Sequence, residues 1–116
     1  MKSLLSLAIL LFLAVYSFAA ELKPGSQEGV GIIDRYVAHG NEVYRFVPDD
    51  KELRMIKMVP GQLGYKGQKL PEELEKFFAK ALEEKKKVKI SCDYMDHGVG
   101  KTAIGKKLIS YNFVEE

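Results

Sequence analysis

The stretch Pro71–Tyr94, PEELEKFFAKALEEKKKVKISCDY, changes its hydrophobic period partway through, and that change decides the fold. In its first part Leu74, Phe77, Phe78, Ala81 and Leu82 recur at i, i+3, i+4, i+7 and i+8, one apolar stripe on a helix. Pro71 suits the first helical position, where its missing N–H leaves no bond unmade. Glu72, Glu73 and Glu75 stand at the positive end of the helix dipole, and Lys85, Lys86 and Lys87 at the negative end. The spacing predicts a helix over 71–87. From Val88 the period drops to two. Val88, Ile90, Cys92 and Tyr94 alternate with Lys89, Ser91 and Asp93, as in a strand with one buried face.

Upstream, GVGIIDRYVA (29–38) is a strand by its Val, Ile and Tyr content. His39-Gly40-Asn41 tolerates positive φ and suits a tight reversal. EVYRFVP (42–48) follows, with Tyr44 and Phe46 on one face and Val43, Arg45 and Val47 on the other, completing a hairpin. Pro48–Lys51 is a turn, ELRMIKMV (52–59) a third strand, and PGQLGYKGQK (60–69) a glycine-bearing loop. The last strand, from about Thr102 to Val114, places Ile109, Tyr111 and Phe113 on one face. The order is β-β-β-α-β-β, mainly β with one helix. Five strands with a helix between the third and fourth describe an OB-like Greek-key barrel, with Leu74, Phe77, Phe78 and Leu82 as its plug.

LEKFFAKALEEKKKVKISCDY followed by GKTAIGKKLISYNF is similar in layout to the B subunits of bacterial AB-type toxins. Those subunits also place an amphipathic helix directly before a strand reading V-x-I-x-x-x-Y. The resemblance implies an OB-fold and, as an alternative role, a subunit of a symmetric toxin-like ring. The chain departs from that pattern in having one cysteine where those subunits usually carry a disulfide pair. No glycan-contacting residue matches by position, and none is carried over.

The first 19 residues, MKSLLSLAILLFLAVYSFA, join one lysine, an apolar run and small residues at 17 and 19. That is the pattern of a cleaved secretory signal peptide, too short at its apolar run for a comfortable membrane span. The expected organisation is a signal peptide over 1–19, a flexible leader over 20–28 and a single OB-like domain over 29–116, exported to the periplasm or secreted. Loss of Lys2 with the signal segment leaves 17 basic against 16 acidic residues. So even a balance disfavours a nucleic-acid partner recruited by charge. Cys92 is the only cysteine, so no internal disulfide forms.

HGVGKTAIG (97–105) ends like a phosphate-binding loop at Gly100-Lys101-Thr102. The motif G-x-x-x-x-G-K-[ST] requires its first glycine at position 95, which is Met95. The segment that follows alternates like a strand, where a phosphate loop needs a helix. It is a turn between two strands. No Ser-His-Asp, Cys-His or paired-carboxylate spacing rises above chance, so the chain reads as non-catalytic and without a cofactor.

OB-folds generally bind ligands on strands two and three, framed by the loop between strands one and two and the loop between four and five. The two histidines fall in those loops. His39, Asn41, Asp96 and His97 are therefore the candidate ligand-binding rim, with Tyr65 as a candidate exposed aromatic. Imidazole and carboxylate also suit zinc or copper, but two histidines without a fixed spacing do not make a metal motif, and no metal residue is assigned. Lys89, Lys106 and Lys107 form a candidate basic patch. Arg45 with Tyr44 and Phe46, beside Arg54 and Lys57, suggests a stacking platform, although Tyr44 and Phe46 suit the core better. Cys92 falls on the inward register and reads as a buried thiol. The expected function is an exported binding module for a protein or glycan partner. A homo-oligomeric ring and a single-strand nucleic-acid binder are the alternatives.

Overall fold

The computed structural model describes residues 23–38, 40–96 and 101–115. The expected signal peptide over 1–19, His39 and His97 lie outside the described residues. The described residues form five strands, β1 (Lys23–Ala38), β2 (Asn41–Pro48), β3 (Met55–Met58), β4 (Val88–Asp96) and β5 (Thr102–Phe113), and one α-helix, α1 (Glu72–Glu83). The strands close into a barrel in the order β1-β2-β3-β5-β4. β3 and β5 run parallel, and the other neighbours are antiparallel. This is the OB-like Greek-key barrel that the element order predicts. Among the described residues, no helix is long and apolar enough to cross a membrane.

Closure depends on β1 serving two partners. Residues 23–31 pair with β4 and residues 31–38 with β2, so Gly31 lies opposite both Val88 and Pro48. The flexible leader expected over 20–28 is therefore corrected, since Lys23–Glu28 are strand. The composition misleads because the polar side chains are used. On the outer side, Ser26 hydrogen-bonds Asp93 and Glu28 pairs with Lys89. Gln27 sits level with the buried Cys92, and its amide both accepts from the Arg54 N–H at 2.9 Å and donates to the Arg54 carbonyl at 2.8 Å. That amide behaves as one more rung of sheet.

Two other boundaries shift. The third strand begins at Met55 rather than Glu52, because Asp50 closes a turn on the backbone N–H groups of Glu52 and Leu53. The last strand contains two bulges, which leave Lys106 and Ile109 without a register partner on β4. Each bulge inverts the alternation after it. Ile109 is consequently 54% exposed, and the preceding Leu108 turns toward the core in its place.

α1 buries Leu74, Phe78 and Ala81, and Phe77 and Leu82 pack at the edge of the same core. Phe77 lies 4.8 Å from the Tyr111 ring and 4.5 Å from that of Phe113, so the helix covers the end of the barrel where β4 starts and β5 finishes. The helix stops at Glu83, four residues before the predicted end at Lys87. Lys85 adopts φ +51°, and the N–H groups of Lys86 and Lys85 bond back to the carbonyls of Ala81 and Leu82. That pattern is a Schellman cap, in which glycine is the favoured residue at the left-handed position. Lys85→Gly is expected to raise stability by about 0.5–1 kcal/mol, read as a higher urea midpoint at unchanged slope.

Candidate functional site

The hairpin register creates a cluster on the outer face of β1, β2 and β3. Asp34 lies opposite Arg45, Arg45 opposite Lys57, and Tyr36 opposite Val43. Arg45 grips Asp34 with two bonds, Nε to Oδ1 at 3.0 Å and Nη2 to Oδ2 at 2.7 Å. That grip holds the guanidinium still further above its usual pKa. It also fixes the guanidinium 5.1 Å from the Tyr36 ring centroid, while the Lys57 ammonium stands 5.3 Å from the same centroid. Apolar side chains surround this group. Val43, Val47 and Ile104 are half-buried, and Ile32 is 38% exposed. An aromatic ring, two cations and an aliphatic surround thus occupy the side of the barrel where OB-folds generally bind.

Sequence reasoning named Arg45 and Lys57 but missed Tyr36. The signal was available. A two-residue reversal between Ala38 and Asn41 sets the hairpin register, which puts Tyr36 on the same face as Arg45. Phe46 is fully buried and Tyr44 packs on the core, as their inward alternation implied. Arg54 is not part of the face. It pairs with Asp96 at 2.8 Å, at the end of β4 remote from the helix.

The other expected residues are dispersed. Asn41 is exposed at the start of β2, and Asp96 closes β4 in its ion pair with Arg54. Asp96 is level with Ala103, Ile56 and Phe46, so Asn41 lies five strand positions, roughly 17 Å, further along. The described ends of the two loops therefore flank the face from opposite sides. Tyr65 is half-buried against the core rather than fully exposed, because Leu63 anchors its loop inside the barrel. The basic patch is broken up. Lys89 pairs with Glu28 at 2.9 Å, Lys107 lies opposite Asp93, and Lys106 hydrogen-bonds Gln62. Lys89 and Lys107 are about 13 Å apart along the sheet. Cys92 is fully buried, and burial raises its thiol pKa to about 11. No group of three or more potential metal-ligating side chains occurs among the described residues.

A cleft of about 390 Å³ opens between the outer end of the β1–β2 hairpin, the 60–70 segment and the first turn of α1. Tyr44 stands in its wall and donates its hydroxyl to Glu75 Oε1 at 2.8 Å. Burial, followed by that bond to a carboxylate, pushes the phenol up to about 12. The folded state thus favours the neutral phenol. Its stabilising contribution is complete below pH 10 and is lost as pH rises from there to about 12. Stability of the parent protein is expected to fall more steeply across that window than that of Tyr44→Phe, as followed by urea unfolding at stepped pH.

Comparison of the chain with protein-family models, with curated proteins and with solved structures finds no match.

Proposed function

We propose that this chain is a non-catalytic, exported binding module whose β1–β2–β3 face recognises a protein or carbohydrate partner. One observation carries the reading, the Arg45 guanidinium and the Lys57 ammonium both standing over the Tyr36 ring on the outer face. Tyrosine and arginine are the residue types that most often dominate binding energy when fixed within an apolar surround. Asp34 holds Arg45 in place beforehand, so little side-chain freedom remains to be lost on association. The aliphatic surround of Ile32, Val43, Val47 and Ile104 favours a protein surface over a sugar. Export rests on the amino-terminal sequence pattern.

The toxin-like ring has less support. Such a ring needs strand edges that pair between copies, whereas these five strands close on one another. β5 extends past its short pairing with β3, and that extension carries two bulges together with Lys106 and Lys107. Bulges and lysines are the usual means of blunting a strand edge. Light scattering is expected to report a monomer, and a stable ring would restore the alternative.

The function is tested by pull-down from the exported fraction, with the parent protein and Tyr36→Ala as paired baits. A partner is expected that binds the parent roughly 30-fold or more tightly than the variant. Partners retained equally by both baits would remove the face from the proposal. A salt-dependent shift of a labelled single-stranded oligonucleotide, lost in Tyr36→Ala, would replace the protein reading with a nucleic-acid one.

A further inference from the structure

We propose that the cleft beside Tyr44 is a second binding site, bordering the Tyr36 face at Val43, and that it takes a neutral carbohydrate. Its volume of about 390 Å³ lies within the usual range for small-molecule sites. Three elements supply its polar groups. The hairpin contributes Arg35 and Glu42, the loop Gln68 and Lys69, and α1 Glu75. Two cations are thus matched by two carboxylates. A ligand with net charge gains little from a lining that sums to zero. A sugar hydroxyl donates and accepts at once, and it finds both kinds of partner around it.

The polar groups are braced before any ligand arrives. Arg35 pairs with Glu42 at 3.2 Å, both about half exposed and so accessible from the cleft. The Tyr44 ring is held by Phe78 at 5.3 Å and by the Arg35 guanidinium at 5.9 Å, and its hydroxyl is tied to Glu75. Less ordering is then required on binding. The apolar part of the lining, Val43, Met58, Pro60 and Leu70, suits the C–H faces of a sugar ring. Gln68 adds an independent observation. It adopts φ +54°, a left-handed conformation that non-glycine residues seldom hold, next to Gly67 at φ +71°. Backbone strain of this kind concentrates where a loop is held for binding, and here it sets an amide at the cleft.

The protein is screened against an array of neutral and acidic oligosaccharides, and retained glycans are titrated by calorimetry. Retention of a neutral glycan is expected, with an affinity insensitive to salt. Arg35→Met and Glu75→Gln are each expected to weaken it roughly tenfold or more, the loss of one charged hydrogen-bonding group, whereas Tyr36→Ala leaves it unchanged. In the unsubstituted protein, the bound glycan is expected to slow acetylation of Lys69, a readout that does not depend on any variant folding. The proposal is overturned if no neutral glycan is retained, or if only acidic glycans bind. It is overturned equally if binding depends on Tyr36 while Lys69 reacts at the same rate with and without glycan. Protein capture by the Tyr36 face is read in a different assay, so either site can fail alone.

Discussion

Gly31→Ala is expected to destabilise the protein by at least about 3 kcal/mol, at the upper end of what overpacking costs, and Gly31→Val to abolish the cooperative unfolding transition. A Cβ at this position would lie 2.0 Å from the Val47 carbonyl oxygen and 2.7 Å from the Pro48 Cα. Those are backbone atoms of the neighbouring strand, so no change of rotamer relieves the contact. β1 also passes from one partner to the other at Gly31, and moving it disturbs the pairing with both β2 and β4. Gly29 provides the control. A Cβ there meets only the Leu53 side chain, nearest at its terminal Cδ1. The flexible end of a side chain can turn aside, so Gly29→Ala is expected to cost no more than about 1.5 kcal/mol. Urea unfolding followed by circular dichroism reads both. Equal costs for the two substitutions would mean that the changeover in β1 is not where closure is decided.

Phe78→Ala is expected to lose about 3–5 kcal/mol, the range for deleting a fully buried phenylalanine. Phe78 has no exposed surface, and it is the residue through which α1 meets the Tyr44 ring at 5.3 Å. Domains of this size commonly have only about 5–15 kcal/mol in total, so the variant is expected to melt far below the parent. Phe77→Ala should cost about half as much, because Phe77 is only partly covered by Tyr111 and Phe113. Thermal unfolding of the two variants side by side checks the ordering. A Phe77 loss equal to that at Phe78 would indicate that α1 is held at its edge and not by its plug.

The candidate site was legible in the sequence only in part. Arg45 and Lys57 stood out as cations on strands two and three, and Phe46 as core. The triad itself emerges from adjacency across strands, Tyr36 from β1, Arg45 from β2 and Lys57 from β3. A cation over a ring is a matter of a few ångströms between chain positions nine and more apart. The loop histidines stood out for the opposite reason. Their residue type is conspicuous, but the described residues beside their loops, Asn41 and Asp96, lie at opposite ends of the face. The cleft beside Tyr44 left no trace in the sequence, because its walls come from a hairpin, a loop and a helix turn with no common period.

The sequence by itself determined those elements whose evidence lies within a few neighbouring residues. These are the stripe of α1, the alternation of β4, the reversal between β1 and β2, and hence the order of strands and helix. The tertiary structure alone decided what depends on a distant partner. Lys23–Glu28 become strand because β4 lies alongside them more than 60 positions later in the chain. Ile109 faces outward because two bulges reset β5 against β4, and Met55 meets Thr102 in the parallel pairing that seals the barrel. The physical reason is the same in each case. Side-chain spacing along a strand reports which residues share a face, but which face is buried is settled by the neighbouring strand, and no local period records that neighbour.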